Sequence, residues 1–485
     1  MTPEDNYKWK AFAAIGISFV TMVMTMSMVF VLLDSISEEF DVTLRAVSWV
    51  LIVEALVISS VMLPMGRLAD TIGRKKMHLT GLVVFGIGAI CTGLAPTFPI
   101  LIAARVVMAL GNAMGQSVGT AMVVAVFPAE ERGKAIGSQT TAVSIGGASG
   151  PILGGLALGV MPWQALFLLL IIPVSVAFVV SYRVLDEARI GDTNTDGSAP
   201  FDWVGALISG LAVSVLVLTI NNPFGVAWLS PLILGGLVLA VLLFRWFIRW
   251  ELSVPLPMLD LRLFSNRLFS LSVLTRLLGF MGSTVIRLLL PVYLISLRGM
   301  TEGAAGGVLF MISLGMGLAA QGSGRLSDRY GTWRFTLSGF SLLMISTGVL
   351  VFVDGSTNIW IVAVIVFVSG FSQGLWNVPN NALIFSAAPS ASFGVVGALT
   401  NLTRNVGNVL GQALATAVVV GVMASRGFDV PLDEIADSPG AADAFMAGWR
   451  VAYLVVTALI GVALVVALYS NPRRFEDHVN AEGTL

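Results

Sequence analysis

Long apolar runs, each closed by a short polar or charged break, recur along the whole of this 485-residue chain. About fourteen of them approach the roughly 20 residues that a helix needs to cross a hydrocarbon core ~30 Å thick. They cover residues 11–33, 47–65, 79–94, 100–127, 135–160, 164–182, 203–220, 228–248, 268–297, 306–320, 335–353, 359–386, 393–423 and 451–469. The pattern predicts an all-α membrane protein. Lys8 and Lys10 precede the first run and could mimic a secretory leader. That run is too long for a leader's apolar region and no A-x-A-like site follows, so it reads as a retained first span.

Two of the breaks resemble each other. GRLADTIGRKK, Gly66 to Lys76, closes the second run, and GRLSDRYG, Gly324 to Gly331, closes the tenth. Each places an acid, Asp70 or Asp328, between Gly-Arg and a second glycine. One charged turn used twice at matching places implies two related halves. The expected division is a six-helix half over 1–190, a linker with two extra spans over 191–262, and a second six-helix half over 263–485. Lys and Arg orient the whole. Lys8, Arg67, Arg74, Lys75, Lys76, Arg132, Lys134, Arg183, Arg245, Arg249, Arg325, Arg329, Arg334 and others fall on one side. The opposite side holds Arg45, Arg298, Arg426 and Arg450, with an acidic loop over 425–447. Both termini are therefore expected in the cytoplasm. Both turns face it, as in parallel repeats related by an axis along the membrane normal.

Composition sets the class more firmly. Hydrophobic residues make up 56% and charged residues 11%, against about 25% charged in soluble domains. Net charge is −1, so nothing favours nucleic acid as a partner. A single cysteine, Cys91, excludes an internal disulfide and a cysteine-cluster metal site. His78 and His478 read as ordinary interfacial residues. No metal or cofactor is expected, and no nucleophile–base set marks an enzyme. No G-x-x-x-x-G-K-[ST] loop suggests an ATP-driven pump. The expected partners are the bilayer, protons and a small-molecule substrate, with the chain acting as a monomer.

The polar exceptions inside the runs are the candidate chemistry. Glu54 stands alone in WVLIVEALVISS. A carboxyl in apolar surroundings can load and release a proton near neutral pH, and a nearby arginine opposes that. Arg105 in the fourth run is the matching cation, with Glu54 or Asp34 as its acid. The plainer readings are a vestibule-facing acid for Glu54, a solvated span end for Asp34 and snorkelling for Arg105. Gly111, Gly115 and Gly119 share a helical face suited to close packing. In the second half, Gln373, Asn377 and Asn380 follow helical spacing, as do Asn401, Asn405, Asn408 and Gln412 beside Arg404. Such amide stripes either line a cavity or hold helices together. Trp376 adds aromatic surface there, and Met22, Met24, Met26 and Met28 add pliable surface. Arg276 and Arg287 make intramembrane cations outnumber acids, which favours neutral, zwitterionic or anionic amphiphiles as substrates.

The ordered set of motifs resembles the major facilitator superfamily, and within it the fourteen-span drug:proton antiporter branch, over nearly the whole chain. Gly66, Asp70, Gly73, Arg74 and Lys75 match the superfamily's loop after the second span. Arg105 through Gly111 to Gly115 matches its fourth-span signature, and Gly146, Gly150, Pro151, Gly154 and Gly155 match the fifth-span antiporter signature. FDWVG, Phe201 to Gly205, and the stretch from Glu251 through Pro255 and Pro257 to Phe264 resemble the segments flanking the two extra spans. The resemblance implies two six-helix halves that rock to alternate access. It implies a gating loop at Gly66, Asp70, Gly73 and Arg74, echoed at Asp328, in which the acid engages the N-terminus of a helix from the other half. The plainer reading is a basic anchor at the inner leaflet. The fifth-span signature implies export, and its bent glycine face is expected to pack between halves, the plainer reading being ordinary close packing. The first-span acid usual in the branch is absent, since Thr25 stands near that position. The implied function is proton-coupled, multidrug-type efflux of small hydrophobic compounds through the plasma membrane. The alternatives are export of one specific metabolite or lipid, and a transporter-like ligand sensor.

Overall fold

The computed structural model describes residues 3–158, 160–190, 201–223, 226, 230–428, 435 and 440–471. Most of the polar linker, part of the acidic loop, Arg473, Arg474 and His478 lie outside them. The described chain is helical from end to end. α1 (Pro3–Phe40), α2 (Leu44–Val47), α3 (Trp49–Ile72), α4 (Arg74–Gly93), α5 (Phe98–Val126) and α6 (Arg132–Leu158) come first. α7 (Trp163–Leu169) and α8 (Ile171–Val184) form one interrupted rod, and α9 (Glu187–Ile190) is a single turn. α10 (Trp203–Asn221) and α11 (Pro231–Ser253) are the extra pair. α12 (Arg267–Val292), α13 (Glu302–Tyr330), α14 (Thr332–Leu350), α15 (Ile359–Ser386), α16 (Phe393–Ser425) and α17 (Ala441–Tyr469) complete the order.

The starts of these helices are written locally. The first backbone N–H groups of a helix lack partners and recruit side-chain oxygens. Asp202 accepts from the Gly205 N–H at 2.8 Å and Asn266 from the Leu268 N–H at 3.0 Å. Asn358 accepts from the Trp360 N–H at 3.0 Å. Pro99 and Pro231 sit in first turns, where a missing N–H costs nothing.

Among the described residues, thirteen helices are long and apolar enough to cross a membrane. The run expected at 335–353 is the one not counted. Its helix, α14, has 19 residues but carries Arg334 and a series of serines and threonines. The supposed charged loops also prove shorter than the sequence suggests. α3 continues through Gly66 and Asp70 to Ile72, and α13 through Asp328 to Tyr330. The turn itself is one glycine in each copy, Gly73 (φ 102°, ψ 135°) and Gly331 (φ 96°, ψ 134°). Only glycine adopts that backbone without strain.

The helices gather into two compact units. The first contains residues 1–265 with 388–405, and the second 266–387 with 406–485. α16 therefore starts in one unit and ends in the other. Within the first unit α1 packs on α6, α4 on α5, and α10 on both α3 and α11. Within the second, α15 packs on α13 and α14, and α17 on α12 and α14. A methyl built on Gly150 of α6 would lie 2.7 Å from the Met28 nitrogen of α1, so the backbones touch. The fifth-span glycine face thus packs against α1 of its own half, and the expectation of a contact between halves is corrected. Its small residues let α1 in to the backbone, and α1 covers Gly146, Gly150 and Gly154 alike. Pro151 lies inside α6 beside that face and is exposed.

Candidate functional site: a buried charge cluster and a capped turn

In the first unit, α3 and α5 bring Glu54 and Arg105 together. Both are at most 2% exposed, and the Arg105 Nη2 donates to Glu54 Oε2 in an ion pair. The Arg105 guanidinium also lies 5.7 Å from the Phe167 ring centroid, and its Nη1 reaches the Met108 Sδ at 3.3 Å. An apolar wall on one side and a carboxylate on the other suit a guanidinium kept from water. Asp34 is exposed on α1, so Glu54 is the acid that meets Arg105. Thr25 is fully buried and turns its hydroxyl back to the Thr21 carbonyl at 2.8 Å, leaving no acid in the first span's centre.

The cluster extends along α5 through two amides. Asn112 Nδ2 donates to Glu54 Oε1 at 3.3 Å, and Gln116 Nε2 donates to Asn112 Oδ1 at 2.7 Å. Arg404 Nη2 donates to Gln116 Oε1 at 2.8 Å, and Asn401 Nδ2 donates to the Gln116 carbonyl at 3.0 Å. One hydrogen-bonded line therefore runs from Arg105 through Glu54, Asn112 and Gln116 to Arg404. Asn112 and Gln116 were not singled out from the sequence. Their signal was present, since Arg105, Asn112 and Gln116 stand at i, i+7 and i+11 on one helical face.

The capped turn lies in the same unit. Asp70 Oδ1 accepts from Arg74 Nε at 3.2 Å and Nη2 at 3.1 Å, while Oδ2 accepts from the Val395 N–H at 3.2 Å. Val395 is in the first turn of α16, where free amides and the helix dipole favour an anion. α3 reaches that turn because Gly66 faces it: a methyl there would lie 2.5 Å from the Ala398 Cβ and 2.9 Å from the Gly394 carbonyl. Glu187 of α9 does the same for α4, accepting from the Arg74 N–H at 2.7 Å and the Lys75 N–H at 3.0 Å. Arg74 Nη1 then ties back to the Ile190 carbonyl at 3.0 Å. Glu187 was not foreseen, because its distance along the chain from Gly73 hides the contact. His78, expected at an interface, is buried instead, with Nε2 at 3.2 Å from the Ser18 hydroxyl and 3.3 Å from that of Ser181.

The proposed cavity residues divide. In the second unit Arg287 Nη2 donates to Gln373 Oε1 and Arg276 Nη1 to Asn377 Oδ1, each at 2.7 Å. Asn380 Nδ2 donates to the Ser272 carbonyl at 3.1 Å. These amides seam α15 to α12. Trp376 is fully buried between Phe340 and Phe280, at centroid distances of 4.8 and 5.1 Å. It packs as a core residue: Gly279 opens room for its indole, and Gly339 lets its backbone and Cβ approach α14. Gln373 lines a cavity of about 10 Å³ with Ser283, Ile286, Ile312, Leu343 and Ser369, the size of about one water. Asn401 and Arg404 belong to the first-unit cluster, and Asn405 and Asn408 are half-buried. Met22 and Met28 are core residues as well.

The family model described as the Major Facilitator Superfamily matches residues 13–412. The chain belongs to the major facilitator superfamily. Among curated relatives, the riboflavin transporter RibZ of Clostridioides difficile is 27% identical over 406 residues, covering 84% of this chain and 87% of that protein. The multidrug resistance protein Stp of Mycobacterium tuberculosis is 27% identical over 407 residues, covering 84% and 75%. The crystal structure of the human organic anion transporter MFSD10 superimposes with a TM-score of 0.66 over 96% of this chain and all of that one. At 14% identity that likeness establishes the fold alone. The chain is thus a multi-pass membrane transporter with the superfamily's fold.

Proposed function

We propose that this transporter is a proton-coupled antiporter of the fourteen-span branch. It exports small hydrophobic or amphiphilic compounds across the plasma membrane by alternating access, with both termini in the cytoplasm. The observation that carries the reading is Glu54, a buried carboxyl bound to Arg105 and to the amide line that ends at Arg404. A proton on Glu54 discharges the carboxylate, breaks the ion pair and leaves Arg105 an uncompensated cation. Asn112 and Gln116 pass that change to Arg404 on α16, the helix whose first amides hold Asp70. Proton binding would then loosen α16 from α3 and α5 together. One proton crossing 100 mV supplies about 2.3 kcal/mol, and each pH unit adds about 1.4 kcal/mol. Together they are enough to offset a few hydrogen bonds worth about 1 kcal/mol each.

Within the two polar seams the guanidinium groups Arg105, Arg276, Arg287 and Arg404, buried or half-buried, outnumber the one acid there, Glu54. That balance favours neutral, zwitterionic or anionic amphiphiles, a range to which a flavin belongs. Resemblance to a riboflavin transporter also supports a second reading, export of one specific metabolite. Competition among unrelated dyes separates the two. The deciding experiment is flux in proteoliposomes with and without a pH gradient, comparing wild type with Glu54→Gln. The gradient should accelerate wild-type export and leave the variant unchanged. Equal gradient dependence in both would remove Glu54 from coupling.

A further inference from the structure

The segments that flank the extra helices meet in one place. Asp202, which caps α10, accepts the Gly205 N–H at 2.8 Å and the Trp250 indole N–H at 3.1 Å to each carboxylate oxygen. Glu251, the next residue on α11, is 3% exposed. Its Oε2 accepts the Leu259 N–H at 3.0 Å, while its buried Oε1 has no hydrogen-bond partner among the described residues. Both acids crowd one face of Gly205. A methyl built there would overlap Asp202 Oδ2 and lie 2.6 Å from Glu251 Oε1. The unpartnered oxygen therefore lies beside another carboxylate. The charged groups that act on Glu251 are Asp202 from α10 and Arg67 from α3, and neither acid forms an ion pair among the described residues.

Glu251 is buried and Asp202 half-buried; two carboxylates this close resist ionising together, and a buried oxygen needs a partner. We propose that Asp202 and Glu251 bind one proton between them, carried on Glu251 Oε1 as a hydroxyl offered to Asp202 Oδ2. The proton comes from bulk water and returns to it. Glu251 Oε2 remains an acceptor for the Leu259 N–H, so the protonated acid satisfies every polar atom at the site. Gly205 is required because any side chain would push the two acids apart. FDWVG and the segment from Glu251 thereby become two walls of one proton site, which shares no residue with the Glu54 cluster.

Infrared titration of the purified protein tests this without any transport assay, so its failure is separable from failure of the antiport reading. Wild type should show a protonated-carboxyl stretch at neutral pH that is absent in Glu251→Gln and retained in Glu54→Gln. Asp202→Asn keeps the α10 cap and removes the neighbouring charge, so the band should disappear at lower pH than in wild type. Raising the pH strips the proton and sets two negative charges side by side, so the wild-type melting temperature should fall. Glu251→Gln, with a permanent donor, should flatten that profile. A band unchanged in Glu251→Gln, or an identical titration in Asp202→Asn, would overturn the proposal.

Discussion

Each unit buries arginines along a polar seam, but the two seams are satisfied differently. In the first, Arg105 meets the carboxylate of Glu54, and two amides extend the line to Arg404. In the second, Arg287 and Arg276 meet the neutral oxygens of Gln373 and Asn377. A carboxylate can change its charge by one proton and an amide cannot. The first seam therefore has two electrostatic states available and the second has one. The proton-driven rearrangement proposed above would therefore sit in the first, while the second offers a constant positive field.

The strongest challenge to that contrast is removal of one charge from the first seam. Arg105→Ala strands Glu54, and breaking one side of a buried pair costs about 3–5 kcal/mol. The melting temperature in detergent should drop sharply, and adding Glu54→Gln should recover much of it. Additive losses would show that the pair does not act as one unit. Arg287→Met should cost less, because it leaves only a neutral Gln373 oxygen, about 1–3 kcal/mol if unsatisfied. It should lower export of anionic substrates more than of neutral ones, measured with matched dye pairs. Asp70→Asn comes next. An amide oxygen still accepts the Val395 N–H, but the charge that Arg74 grips is gone, so flux should fall at unchanged expression. Full activity would leave the contact as an anchor only. Gln116→Leu interrupts the amide line by removing two hydrogen bonds, to Asn112 and from Arg404, at about 1 kcal/mol each, and should blunt the pH dependence of flux more than its maximum. Asn380→Ala, which removes one tie to the Ser272 carbonyl, should be smallest, visible in thermal melting and absent from transport.

How much was legible beforehand depended on whether the signal was local. Hydrophobic run lengths located the helices, and repeated Gly-Arg…Asp…Gly segments located both turns. Local spacing could not tell that α3 and α13 stay helical through those segments, because nothing between Gly66 and Asp70 breaks or compels a helix. Glu54 and Arg105 stood out as charges in apolar runs. Asn112 and Gln116 did not, since an amide among glycines reads as ordinary packing until its neighbours are known. Trp376 shows the converse: an aromatic beside amides resembles a binding surface, and the tertiary structure packs it into the core against Gly279 and Gly339.

By itself the sequence determined that this chain crosses a membrane many times, that a charged turn is used twice, and that few ionisable groups are placed in the spans. Those follow from transfer energies and backbone sterics, which act on neighbours in the chain. Only the tertiary structure decided which of those groups meet. Val395 reaches Asp70, and Asn401 and Arg404 reach Gln116, from far along the chain because the first turns of α16 fold with the first unit while the rest of that helix folds with the second. A buried charge is satisfied by whatever the packing brings to it, and packing is a property of the whole chain.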